Sequence, residues 1–388
     1  MFELSLIGSM PREESLLRIL RKHRNNSISD QEFNQIIDEK TKEVVHLQEA
    51  ANLDYITSGE LHRDNYVSFI SESLEGVRQM SMSELLDYVE DKKSFELILD
   101  TLDVPAIAIK NAICVDKISR RKSLVADELR RINKLTDKKV KITLPGPYLV
   151  TRSMWLPELS KKGYASKEEL GEDVIKIMSD EIKEIQEIGV DIIQFDEPVL
   201  TEVVFTEGRP RTFMCAALSE RKDPTEELEF AKHLISSVMK KVDRSKSKAA
   251  LHVCRGNWSR DESILLSGPY TPLIDLFENI DADILFLEYS TDRAGDLKSL
   301  FNSQKLRDNI ILGMGVVNPR TDEIESVDTI VKKAEQALEF IPADRLMLNP
   351  DCGFATFANR PMNSYDIIAE KLKAMDQARR VLCQSLKE

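Results

Sequence analysis

Apolar residues follow two alternating rhythms along this chain. Short, mostly apolar runs fall at residues 3–7, 53–57, 139–144, 191–195, 249–254, 283–288, 309–317 and 345–348. Their length and the Gly, Pro, Asn and Asp residues around them predict buried β-strands. Between most of them lie stretches whose apolar residues recur three and four apart, the period of a helix with one buried face. These helical stretches are 12–23, 29–50, 123–135, 166–188, 224–242, 270–280, 296–301, 326–340 and 365–383. Pro11 opens the first, and Ser29 with Glu32 three residues later forms a capping-box pattern at the second.

The strand tips then fall at Gly8, Gly59, Gly146, Asp196, Cys254, Glu288, Val317 and Cys352. Eight such βα units predict an α/β fold of the TIM (β/α)8 type, one enlarged barrel over residues 1–388. Residues 65–103 are mixed and charged, 105–112 are strand-like and precede a basic stretch, and 65–120 together read as an insertion between early barrel strands. A hairpin there either lids the mouth over a substrate or simply packs on one side. Residues 199–223 read as a long loop.

Charge and cysteine usage narrow the partners. The formal net charge of -13 argues against nucleic acid or an anionic membrane as the main partner. No apolar run approaches the ~20 residues that span a bilayer, and no basic leader precedes an apolar stretch at the N-terminus. Cys114, Cys215, Cys254, Cys352 and Cys383 are scattered singly, which does not make a disulfide framework and fits a reducing cytoplasm.

Polar residues gather at the strand tips, where a barrel keeps its chemistry. His252 and Cys254 are two apart and share one side of a strand. With Glu288 and Cys352 from other tips they form a set of imidazole, thiolates and carboxylate that suits Zn²⁺. The plainer alternative is that the cysteines are small core hydrophobes.

Several motifs, taken together and in order, resemble the cobalamin-independent methionine synthase family, specifically its C-terminal catalytic barrel. They are Ile7-Gly8-Ser9-Met10-Pro11, Gly59-Glu60, Gln194-Phe195-Asp196-Glu197-Pro198, His252-Val253-Cys254, Leu287-Glu288 and Asn349-Pro350-Asp351-Cys352-Gly353. The resemblance implies a zinc ion held by His252, Cys254, Glu288 and Cys352, where the thiol of homocysteine is activated to attack a methyl group, giving methionine. It implies that Glu60 and Asp196 hold the amino group of homocysteine and that backbone around Gly8 and Ser9 holds its carboxylate. As an alternative, Glu60 and Asp196 are rim charges paired with Arg63 or Arg152. Trp155 and Trp258 follow rim motifs, where an aromatic ring stacks on a pterin, closes over a corrinoid or shields the site by packing. Cys114, Cys215 and Cys383 read as structural.

The chain also departs from the family pattern. It has no room for the second, N-terminal barrel of the long members and resembles the short single-barrel branch. Asn318 stands where the familiar enzyme has a histidine that protonates the methyl donor. An amide is no general acid near neutral pH. So either another group such as His62 takes that catalytic place, or the donor needs no proton. The donor is then a corrinoid, free or on a carrier protein, or methyltetrahydrofolate. Two rival readings are a zinc enzyme for another thiol such as coenzyme M, for whose sulfonate Arg63, Arg152, Arg255 and Arg320 are candidates, and a non-catalytic barrel with structural zinc that binds a thiol or a protein.

Overall fold

The structure, a computed structural model, describes residues 1–63, 65, 67–88, 110–205, 223–257, 259–355, 358 and 361–387. Trp258, Cys215 and the 89–109 part of the insertion lie outside the described residues. The strands are β1 (Tyr55–Ile56), β2 (Leu74–Ser81), β3 (Lys110–Arg120), β4 (Lys139–Pro145), β5 (Ile192–Asp196), β6 (Lys248–Val253), β7 (Ile284–Glu288), β8 (Ile311–Val317) and β9 (Leu346–Pro350). All but β2 and β3 form one seven-stranded parallel sheet in the order β1-β4-β5-β6-β7-β8-β9.

The sequence pattern predicts eight strands in that sheet, and the difference lies at residues 3–7. Here Leu4 bridges Leu348 and Ser5 bridges Tyr55, both parallel, but no longer ladder forms. One reason is local: the Leu4 amide donates to the Asp54 side chain at 2.7 Å instead of extending the ladder. The sheet therefore curls until its two edge strands flank the same short segment.

Helices cover the outer face: α1 (Glu14–Arg24), α2 (Asp30–Ala50), α3 (Ala126–Asn133), α4 (Pro147–Met154), α5 (Lys167–Ile188), α6 (Val199–Phe205), α7 (Pro224–Met239), α8 (Ile274–Asn279), α9 (Val327–Leu338) and α10 (Tyr365–Ser385). The predicted cap of α2 is present, with Ser29 Oγ accepting from the Glu32 amide at 3.1 Å. Part of the expected 199–223 loop is instead helical, as α6.

Strands β2 and β3 form the antiparallel hairpin of the insertion. A bulge between Glu75 and Val77 brings Gly76 against Lys117 O, where a Cβ would sit 2.2 Å away, so only glycine fits. This hairpin packs outward onto the helical layer. Ser160 Oγ donates to Cys114 O at 2.9 Å, and Arg120 pairs with Glu181 of α5 at 2.7 Å. Cys114 is fully buried and Cys383 packs on the main core, as structural cysteines do. Cys114, Cys254, Cys352 and Cys383 are all free thiols.

Among the described residues two apolar clusters result. The large one fills the space between sheet and helices. The small one, Ile7, Tyr55, Ile192, Ala250, Ile284, Phe286 and Met347, fills the inner face of the curled sheet. Gly313 makes room there, since a Cβ on it would lie 2.1 Å from the Phe286 ring. Among the described residues no helix is long and apolar enough to cross a membrane.

Candidate functional site

Strand alternation carries the inner face upward from this apolar plug to the site. On β5 the face continues from Ile192 through Gln194 to Asp196, on β6 from Ala250 to His252, and on β7 from Phe286 to Glu288. Asp196 and His252 are register partners, as are His252 and Phe286. Cys254 follows the end of β6, and Cys352 follows the end of β9.

His252, Cys254 and Cys352 bring one nitrogen and two sulfur atoms to within 4.8 Å of one another, all three residues buried. Two soft thiolates and an imidazole at that spacing are a donor set for a metal ion. The cysteines share a hydrogen bond that lowers the pKa of Cys254 and raises that of Cys352. Burial works against charge on His252, but the hydrogen bond and the negative charge of Asp196 lift its pKa to about 9. Asp196 Oδ1 lies 2.9 Å from His252 Nδ1 and Asp351 O lies 3.4 Å from Nε2, so Nε2, with the longer contact, is the nitrogen available to a metal.

Glu288 lies outside that three-residue cluster. Its carboxylate accepts from Asn257 Nδ2 and, at 3.1 Å, from Arg293 Nη2. Arg255 Nη1 stands 3.7 Å from it, with its guanidinium stacked 3.7 Å over the Tyr270 ring. Asn257 in turn accepts from Arg320 at 3.3 Å. Sequence reasoning missed Asn257 and Arg293, whose only signal is their nearness to the β6 and β7 tips.

Gly8, Ser9 and Glu60 are brought together. A Cβ on Gly8 would lie 2.1 Å from Glu60 Oε1, and one on Gly353, next to Cys352, would lie 2.1 Å from Ser9 Oγ. Glu60 adopts φ 56, a left-handed conformation uncommon for a side chain of this kind. Arg12 Nη2 holds its carbonyl at 2.6 Å, and Thr143 Oγ1 donates to its carboxylate at 2.7 Å. Burial raises the Glu60 pKa, Arg63 opposes this and the Asp196 charge adds to it. The two carboxylates thus sense each other.

Of the rim arginines, Arg63 is shared between Glu128 and Glu60, and Arg152 faces neither Glu60 nor Asp196. Arg63 forks onto Glu128 at 2.9 to 3.1 Å and stands 3.8 Å from Glu60. Arg152 faces Glu202 at 3.7 Å, whereas Asp196 bonds to Gln194 and His252.

His62 lies 3.4 Å from Glu128 and lines a cleft of ≈320 Å³ with Leu20, Phe33 and Phe69. Glu60, Asp196, His252, Cys254 and Cys352 are not among the lining residues of that cleft. Asn318 Oδ1 accepts from the Arg320 amide at 3.0 Å and so shapes the turn after β8. Trp155, 9% exposed, belongs to the large core.

Lys141 is a further residue that sequence reasoning passed over. It is fully buried, and burial drives its pKa down to about 7 against the opposing pull of Asp196 and Glu60. Its signal was a lysine in the middle of an alternating strand, on the same parity as Lys139 and Thr143.

Comparison with known proteins places these features in context. The sequence profile described as "Cobalamin-independent synthase, Catalytic domain" matches residues 2–378. A 5-methyltetrahydropteroyltriglutamate–homocysteine methyltransferase of Bacillus licheniformis is 26% identical over 98% of this chain, which spans 43% of that protein. A methionine synthase of Thermococcus kodakarensis is 25% identical over 98% of this chain and 94% of its own length. The solved structure of a B12-independent methionine synthase from Shewanella sp., in complex with selenomethionine, superposes with a TM-score of 0.73 at 20% identity, covering 100% of this chain and 99% of that one.

Proposed function

Because this chain belongs to the cobalamin-independent methionine synthase family, matching its catalytic module as a single domain, we propose that it methylates a thiol at a zinc site. The observation that carries this reading is the convergence of His252, Cys254 and Cys352 to within 4.8 Å at the strand tips. Glu288 is the fourth ligand, and Asn257 and Arg293 hold its carboxylate ready. When bound there, zinc lowers the pKa of an acceptor thiol so that it is a thiolate near neutral pH.

The acceptor is homocysteine. Glu60 and Asp196 suit an ammonium group, and the backbone at Gly8 and Ser9 suits a carboxylate. A sulfonate-bearing thiol would need a cation to face it. Arg63, Arg152, Arg255 and Arg320 are instead engaged by Glu128, Glu202, Gly268 O and Glu262.

The methyl donor is a corrinoid or methyltetrahydrofolate, and the corrinoid is favoured. Asn318 cannot protonate a departing nitrogen, and its oxygen is held by the Arg320 amide. His62 turns to a side cleft. A cobalt leaving group needs no proton. We read the curled sheet and its helices as a (β/α)8 barrel, a reading supported by the bridges of Leu4 to β9 and Ser5 to β1. Buried ligand thiols fit a reducing cytoplasm.

The test is methionine formation from homocysteine by the zinc-loaded protein, with methylcobalamin and with methyltetrahydrofolate, read by mass spectrometry. Methionine from methylcobalamin alone is the expected result. Methionine from neither donor overturns homocysteine methylation.

A further inference from the structure

A continuous hydrogen-bonded chain runs from the buried interior to the metal cluster. Lys141 Nζ donates to Gln194 Oε1 at 2.7 Å, Gln194 Nε2 donates to Asp196 Oδ1 at 2.8 Å, and the same Oδ1 meets His252 Nδ1 at 2.9 Å. Lys141 also donates to Leu6 O and sits 4.3 Å over the Phe286 ring. Lys141 and Gln194 are both fully buried.

The direction of this chain follows from donor counting. Both polar partners of Lys141 are oxygens, and even a neutral amine has two N–H bonds, one for each. Gln194 must then turn Oε1 to the lysine, which leaves Nε2 as the only atom it can offer Asp196. A flipped amide would set an oxygen against a carboxylate. Asp196, held from one side, accepts the Nδ1 hydrogen of His252, so Nε2, which meets Asp351 O at the longer 3.4 Å, is the nitrogen left to give up its proton to a metal. The Nδ1-protonated ring is the tautomer a metal requires. An apolar side chain of the same length would fill the space at lower desolvation cost, so packing alone does not account for an amine here.

We propose that Lys141 is a positioning residue for the metal centre, fixing the tautomer and orientation of His252 through the Gln194 amide and the Asp196 carboxylate. This rests on the reading of His252 as a metal ligand. Its test is chelator competition for Zn²⁺, together with the visible spectrum of the Co²⁺-loaded protein, on the wild type, Lys141→Met, Gln194→Met and the double variant. Circular dichroism checks the fold of each.

Each single variant is expected to lose ~10–100-fold in Zn²⁺ affinity and to shift the cobalt bands. The double variant is expected to lose no more than either single one, because both cut the same chain. Met347→Leu, a change in the same inner cluster but off the chain, should leave both readouts unchanged. Wild-type affinity and spectrum in Lys141→Met, or multiplicative losses in the double variant, would overturn the proposal. If Lys141→Met does not fold, wild-type affinity in Gln194→Met overturns it alone. A wild type that binds neither ion overturns the metal reading and this inference together, and is thereby distinguished from failure of the relay alone.

Discussion

Asp196 and His252 are register partners on adjacent strands, and their side chains meet at 2.9 Å between Oδ1 and Nδ1. One carboxylate therefore both orients the candidate metal-binding ring and faces the space shared with Glu60. Asp196→Asn is expected to raise the KM for homocysteine and to weaken Zn²⁺ binding by ~10-fold or more. Steady-state kinetics and chelator competition check both. If the variant handles its substrate and its metal normally, neither role belongs to Asp196.

Cys352 contributes one of the three clustered ligand atoms from the far end of the chain. Cys352→Ser keeps the size of the side chain and removes the soft donor. Zinc affinity is expected to fall by more than the ~10–100-fold that outer partners typically cost, and zinc content and activity with it, while circular dichroism stays that of the wild type. Full zinc content with turnover in this variant would remove Cys352 from the site.

Gly8 leaves no room for a side chain beside Glu60, since a Cβ there would lie 2.1 Å from Oε1. Glu60 cannot simply retreat, because Thr143 holds its carboxylate and Arg12 its carbonyl. Gly8→Ala should raise the KM for homocysteine by roughly tenfold, about 1.4 kcal/mol of binding, with zinc content unchanged. A KM equal to that of the wild type would separate Gly8 from acceptor binding.

Burial holds the Lys141 pKa at about 7, below the ~10.4 of an unfolded chain. Between these values the unfolded state binds the proton and the folded state does not, so the Lys141 contribution to stability rises with pH across that window. Below about 7 the folded state also carries the charge, and the full cost of burying it remains. Urea unfolding of wild type and Lys141→Met at pH 7 and pH 9 should show the difference moving in favour of the wild type, by at most ~1.4 kcal/mol per pH unit. A difference that does not change with pH would mean an unshifted lysine.

Much of the fold was legible because its signals are local. The strand and helix order, the Ser29 cap and the placement of His252, Cys254, Glu288 and Cys352 near strand tips follow from periodicity and spacing within a few residues. Lys141 was legible only in part: its place in the middle of an alternating strand shows in the sequence, but the oxygens it meets lie on other segments. Asn257 could not be placed, because its partner Glu288 is on β7 and nothing local links that strand to the β6 tip, whereas Arg293 follows Glu288 by only five residues.

Sequence by itself determined the alternation of elements, the residue types at the strand tips and the family resemblance, since each depends on near neighbours. Tertiary structure decided the rest. It joined Gly8 to Glu60 and Ser9 to Gly353, and turned His62 to a side cleft. It reduced residues 3–7 to two bridges and tied Lys141 to His252 through two intermediaries. These are contacts between distant segments, and each depends on how the sheet curls and which atoms compete for one partner, which no local pattern encodes.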